Sequence, residues 1–425
     1  MASVGIDFGT SNSAYALARD DGTITLASFP RLIEPGDTDT APTVLFFPAY
    51  EKETHFGQQA IARYLQVGLE GRFVQSMKTF LPMKTFTGTI IRGRPFAIED
   101  LVASFLRFFV QTAEAQLGVK TGDLELVMGR PARFSADPAL DALAETRLRT
   151  GAERAGLSKF RFLIEPVAAA LAYESAIARD ETVLVADLGG GTSDFTLMRV
   201  GPTQRPLEDR RASILAARGI SLAGDKIDAE LVRLALLPLF GVGSDYLAFT
   251  DRAPVPHWIF QRLLQWNHVS FLKSKETLEF LRLVNKTSSA PEAIGRLLDL
   301  VETDQGYLLF RAVERAKRAL GTAEKAMIQD IDGGLVVEAE VRRSDFEAAI
   351  APLVDKIHGT AVETLAAAGL TADKVDAVFM TGGTSLLPSV RARFEETFGA
   401  DKIRGGRTFT SVGVGLALGG RGTYA

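Results

Sequence analysis

The chain has 425 residues, 46% hydrophobic and 24% charged, with a formal net charge of -4 and no cysteine. That length can bury a large core in one or two sizeable domains. The lack of thiols excludes disulfide frameworks, thiolate metal sites and cysteine nucleophiles, and the absence of a basic surplus argues against nucleic acid as a partner.

The first apolar run, Val4-Gly5-Ile6-Asp7-Phe8-Gly9, reads as a strand and lacks the basic start and apolar core of a signal peptide. No apolar run approaches the roughly 20 residues of a membrane helix, so a cytoplasmic location away from membranes is expected. Asp7 leads into the turn Phe8-Gly9-Thr10-Ser11, and residues 34–42 follow as a polar, Pro- and Gly-rich loop. Residues 99–117 carry Leu101, Phe105, Phe108, Phe109 and Leu117 at close to helical spacing. Strand-like Phe160–Ile164 runs into Glu165-Pro166 and then an alanine-rich helix. Val183–Ala186 ends at Asp187 and turns through Leu188-Gly189-Gly190-Gly191-Thr192-Ser193. Residues 201–210 form another loop, and residues 257–283, with Trp258 and Trp266, read as one long helical region. Residues 345–368 repeat a helical pattern, and Val375–Phe379 leads into the turn Met380-Thr381-Gly382-Gly383-Thr384-Ser385. The alternation of strands and helices predicts an α/β fold. The matched Asp-Gly turns at Asp7 and Asp187 suggest an internal duplication around a shared cleft. The four histidines, His55, His257, His268 and His358, show no metal-ligand spacing.

Glycine lets backbone N–H groups approach oxygens that a Cβ would block, and runs of such donors in turns bind anions. Gly9-Thr10-Ser11 and Gly189-Gly190-Gly191-Thr192 suit a polyphosphate, with added donors from the Thr10, Ser11 and Thr192 hydroxyls. Asp7 and Asp187 would repel phosphates unless a cation lay between, and Mg²⁺ bridges carboxylate to phosphate while keeping several waters. The chain has no G-x-x-x-x-G-K-[ST] and no G-x-G-x-x-G after a strand, so the site is neither a P-loop nor a Rossmann turn.

Five segments, in order, carry a family resemblance. Val4–Ser13 and Asp187–Asp194 look like the two phosphate motifs of the DnaK-type heat-shock chaperone family, within the actin-like ATPase superfamily. Ile164–Ala170 resembles its connecting segment, Glu314–Leu320 its adenosine-clamping helix, and Val378–Pro388 its adenosine-side glycine turn. The resemblance implies an actin-like fold of two lobes, each with a duplicated mixed-sheet core and an inserted smaller subdomain, around a nucleotide cleft. Lobe I is expected at 1–180 with its insertion near 38–98. Lobe II is expected at 181–425 with its insertion near 225–340, and a last helix, 411–425, packing back on lobe I.

By the same resemblance, Asp7 and Asp187 hold Mg²⁺ through water, and Gly9, Thr10, Ser11, Gly189, Gly190, Gly191 and Thr192 bind phosphates. Glu165 orients the attacking water and Lys78 reaches the γ-phosphate, making Lys78, Glu165, Asp187 and Thr192 the expected catalytic set. Glu314, Lys317 and Arg318 flank adenine and ribose, and Gly382, Gly383 and Thr384 lie near the α-phosphate. Glu314 and Arg318 also read as an ordinary i, i+4 ion pair. The implied function is a slow, DnaK-like ATPase that binds ATP and ADP with Mg²⁺ and works on a protein partner or co-chaperone through a nucleotide-dependent conformation. Departures are Ser11 in place of threonine, Gly321 in place of a hydroxyl near adenine, and no acidic residue in Phe409–Gly413. The sequence ends at Ala425 without the family's peptide-binding segments, as in its short, YegD-type members. A sugar or small-molecule kinase of the same superfamily and a non-enzymatic nucleotide-sensing or filament-forming scaffold are the alternative readings.

Overall fold

A computed structural model describes residues 2–33, 38–329, 337–405 and 410–421. Four residues of the expected 34–42 loop (34–37), Phe409 of the closing segment and the last four of the expected terminal helix (422–425) lie outside the described residues. The chain divides into two compact units: residues 1–224, 356–385 and 390–425 in unit 1, and residues 225–355 and 386–389 in unit 2.

Unit 1 is built on two sheets of the same plan. In the first, β1 (Ser3–Asp7) lies antiparallel to β2 (Asn12–Ala18), which pairs with β3 (Ile24–Leu26). On its other side β1 runs parallel to β4 (Glu125–Arg130), and β4 parallel to β5 (Arg161–Ile164). In the second, β6 (Glu181–Leu188) lies antiparallel to β7 (Ser193–Val200), which pairs with β8 (Ile214–Ile220). On its other side β6 runs parallel to β9 (Ala377–Thr381), and β9 parallel to β10 (Ile403–Gly405). The strand orders 5-4-1-2-3 and 10-9-6-7-8 are therefore one topology used twice. The central strands β1 and β6 are buried along most of their length because helices pack against them.

Four helices of unit 1 bear on the site. The one-turn α1 (Met77–Phe80) follows a small sheet formed by residues 44–75, and α2 (Ile98–Leu117) packs Phe105 and Phe109 into an aromatic core with Phe8, Tyr15 and Phe29. Next come α3 (Pro138–Arg154), capped by Asp137, and α4 (Glu165–Glu174), with Pro166 in its first turn where a missing N–H costs nothing.

Unit 2 holds α5 (Gly224–Leu231) from Asp225 onward and α6 (Gly306–Leu320) among its helices. The region expected as one helix over 257–283 is broken into His257–Leu263, Trp266–Val269, a tight turn at Ser270–Lys273 and Lys275–Thr287. The Ser274 side chain accepts the Thr277 N–H and so starts a new helix there, a local bond that apolar spacing does not register.

The long helix α7 (Arg343–Ala367) matches the periodicity read over 345–368, and its residues from Lys356 onward belong to unit 1. The last helix, α8 (Ser411–Leu418), packs on β1, β2 and α4. Its contact with α4 depends on small residues. A Cβ on Gly415 would fall 1.6 Å from the Ala168 carbonyl oxygen, so only glycine lets the two backbones meet. Ala168, Ala169, Ala170, Val412 and Leu416 then join Val185 and Phe379 in one core between the sheets.

Candidate functional site

Both Asp-Gly turns are hairpins, and within unit 1 they come together. Asp7 closes β1 opposite Ala14, and Asp187 closes β6 opposite Asp194. In the second hairpin the Gly189 N–H donates to the Thr192 carbonyl at 3.0 Å. A Cβ built on Gly191 would lie 3.4 Å from Thr10 Oγ1 and 3.8 Å from Thr79 Oγ1, so the tip of the second hairpin faces the first hairpin and the short α1. The third turn joins them. Thr384 Oγ1 and the Gly224 N–H both donate to the Gly189 carbonyl, at 3.0 and 3.1 Å. Gly382 has φ +84° and a Cβ there would sit 2.3 Å from the Leu188 oxygen, so this turn needs glycine for both conformation and space.

Lys78 and Glu165 meet beneath these turns. Lys78 Nζ donates to Glu165 Oε1 at 2.5 Å, and both side chains are 8% exposed. Each is held by its own element. Glu165 begins α4, and Lys78 lies in α1, whose following carbonyls at Phe80, Leu81 and Met83 accept bonds from the buried Arg147 guanidinium at 3.0 to 3.4 Å. Such a pair is costly to break by removing one partner, because an uncompensated buried charge remains.

The electrostatics of the cluster are lopsided. Burial, then repulsion from Glu165, pushes Asp7 up to about 7, with Lys78 partly offsetting. Burial, then Glu165, Asp194 and Asp7, holds Asp187 well above the carboxylate range. Asp194 is likewise pushed up to about 7 by burial, although the Thr192 hydroxyl and the Ala132 N–H bond it. Burial alone would depress Lys78, but the carboxylates of Glu165, Asp7 and Asp187 outweigh it and raise the lysine above its ordinary value. Four carboxyl groups thus surround one ammonium, a surplus of negative charge that favours an additional cation.

One residue that sequence reading passed over belongs here. The Thr79 hydroxyl oxygen is buried and has no hydrogen-bond partner among the described residues, yet it lies beside Gly191 and Thr10. Its position next to Lys78 was the available signal. Gly224, the first residue of α5, was also not singled out.

Of the expected adenosine-side residues, Glu314, Lys317 and Arg318 lie in unit 2, whereas Gly382, Gly383 and Thr384 lie in unit 1. Lys317 pairs with Asp228 at 2.7 Å, both some 15% exposed, whereas Arg318 and Glu314 form the ordinary exposed ion pair at 3.2 Å. Asp225 is pushed up to about 7 by burial and by Asp228, against the pull of Lys317. Asp225 and Asp228 are carboxylates that the sequence pattern alone did not mark. Among the described residues no group of three or more His, Asp or Glu could ligate a metal directly, and no helix is long and apolar enough to cross a membrane.

The family model described as Hsp70 protein matches residues 63–233 and 298–421, more than half of the chain. The chain belongs to the Hsp70 protein family. Its fold is accordingly the actin-like ATPase fold, an α/β architecture, and the doubled sheet topology of unit 1 agrees with it. Among curated relatives, the chain is similar to the proteins named "Chaperone protein DnaK" of two strains of Thermus thermophilus. It is 26% identical to each over 435 aligned positions, covering 98% of this chain and 60% of theirs. The chain therefore spans about 60% of the length of these relatives.

Proposed function

We propose that this Hsp70-family chain is a chaperone-type ATPase that binds Mg-ATP and hydrolyses it slowly to ADP, acting in the cytoplasm on a protein partner or co-chaperone through a nucleotide-dependent conformation. One observation carries the reading: two glycine hairpins converge over the part-buried Asp7 and Asp187 and the buried Lys78–Glu165 pair, beside a buried hydroxyl without a partner among the described residues. A polyphosphate would take the N–H groups of Gly9 to Ser11 and Gly189 to Thr192, with the Thr10, Ser11, Thr192 and Thr79 hydroxyls as further donors.

The residues fit Mg²⁺. The carboxylate surplus around Lys78 is the environment a divalent cation would relieve, and Asp7 and Asp187 would hold it through water, since too few side chains converge for a direct ligand set. The ion would supply neutralisation of phosphate charge. Glu165 would accept a hydrogen bond from the attacking water and fix its direction, while Lys78 would share its protons between Glu165 and the γ-phosphate. Phosphoryl transfer asks little more of a protein than such positioning and charge neutralisation. The division into lobes at about residue 180, the placing of Gly382, Gly383 and Thr384 by the α-phosphate, and the roles of Glu314, Lys317 and Arg318 toward adenosine rest on the resemblance and are part of the same proposal.

The test is calorimetric titration with ATP, ADP and GTP in Mg²⁺, on the natural chain and on Asp187→Asn. Adenine-selective binding, weakened about tenfold or more in Asp187→Asn, is the expected result and leads to single-turnover hydrolysis. No binding, or binding indifferent to Asp187, would sink the reading.

A further inference from the structure

Away from the hairpins, a cavity of about 350 Å³ opens in unit 1, within the size range of small-molecule sites. Three elements line it. Arg133 follows the Pro131-Ala132 turn after β4, Arg218 and Gly219 belong to β8, and Lys356, Thr360 and Glu363 share one face of α7 at spacings of four and three residues. Three cations and one carboxylate give the lining a net charge of +2. The side chains of Arg133, Arg218 and Lys356 make no ion pair or hydrogen bond among the described residues. Other arginines of the same unit are paired: Arg130 with Asp141 and Glu145, Arg147 with Glu99, and Arg210 with Glu174. Three like charges converging on one space with a single carboxylate against them is therefore a local exception, and it costs mutual repulsion that a bound anion would remove.

The remaining polar group narrows the ligand. The Thr360 hydroxyl is already given to the Lys356 carbonyl at 3.1 Å, so the donors are cationic. Glu363 sets the far end of the helical wall and repels further negative charge, which favours a single dianionic group at the Arg133–Arg218–Lys356 end. The volume exceeds that of orthophosphate. We propose that this cavity binds a small phosphate monoester, with its phosphate between Arg133, Arg218 and Lys356. The cavity is distinct from the hairpin site but adjoins its frame. Gly219 pairs with Asp194 across the β7–β8 ladder, and the Ala132 N–H that bonds Asp194 belongs to the residue before Arg133.

The experiment is calorimetric titration with β-glycerophosphate, with orthophosphate in parallel, on the natural chain, on Arg218→Ala/Lys356→Ala and on Thr192→Ala. The expected result is saturable binding of one equivalent with Kd below about 1 mM, weakened about tenfold in the double variant and unchanged in Thr192→Ala. Tighter binding of the monoester than of orthophosphate is expected, and both should weaken with added NaCl. Absence of saturation up to about 10 mM would overturn the proposal. So would loss of binding in Thr192→Ala with retention in the double variant, because the phosphate would then occupy the hairpins. Arg218 and Lys356 are exposed, so the double variant should keep the circular dichroism and unfolding midpoint of the natural chain, and a loss of binding is then a loss of the site.

Discussion

Thr79 shows how a single atom can separate structural from functional roles. A buried hydroxyl without a partner costs roughly 1–3 kcal/mol of stability, because it gives up water and receives nothing in return. Thr79→Val keeps the shape and removes that cost. The ligand-free protein should therefore become more stable by about 1 kcal/mol, seen as a higher thermal midpoint. If the hydroxyl serves bound phosphate, Mg-ATP affinity should fall about fivefold in the same variant. A variant that loses stability, or keeps full affinity, would remove Thr79 from the site. The sequence did not disclose this residue because its place beside Lys78, the one signal on offer, says nothing of where the hydroxyl points. Asp7, Glu165 and Asp187 were legible because each sits where an apolar run ends. Lys78 was legible only through the resemblance, and its direct bond to Glu165, 87 positions away, follows from tertiary placement of α1.

Among the elements, the hairpins were the most readable, since a strand ending in Asp and glycine turns back on itself for local reasons. The broken helix over 257–283 was not, because capping at Ser274 competes with apolar periodicity and wins. The last helix was expected only through the resemblance, and the energetics of α8 packing can be tested by contrast. Gly415 and Gly359 are both helical glycines, and replacing either with alanine gains about 1 kcal/mol of helix propensity. At Gly359 a Cβ meets nothing within 4 Å, so Gly359→Ala should stabilise the protein by about that amount. At Gly415 the Cβ meets the Ala168 backbone at 1.6 Å, which cannot be relieved by a rotamer change. The clash outweighs the propensity, and Gly415→Ala should lose about 2 kcal/mol or more, read as a lower urea midpoint. Equal effects at the two positions would mean that α8 does not depend on close contact with α4.

Among the described residues, two clusters, one in each unit, place several carboxyl groups around a single lysine. In unit 1 these are Asp7, Glu165, Asp187 and Asp194 around Lys78; in unit 2 they are Asp225, Asp228 and Glu314 around Lys317. The doubled sheet could be anticipated from the repeated turns, but this second cluster could not, since α5 and α6 bring Asp225 and Lys317 together across 92 positions of sequence. The arrangement makes stability depend on pH in a definite direction. Asp225 is faced by Asp228, Lys317, Glu314 and Lys226, and burial with Asp228 raises it from 3.8 to about 7. Between those values the folded form keeps a proton that the unfolded chain has released, so the contribution to stability is full below about pH 4 and is lost as pH rises through about 7. The natural chain should lose stability from pH 5 to pH 8. Asp225→Asn removes one titrating group, and its urea midpoint should fall less over the same interval, the difference amounting to more than about 1.4 kcal/mol. The other raised carboxyls are common to both proteins and cancel in that difference. Parallel pH profiles would show that Asp225 is already ionised in the folded state, held by Lys317 more strongly than burial opposes it.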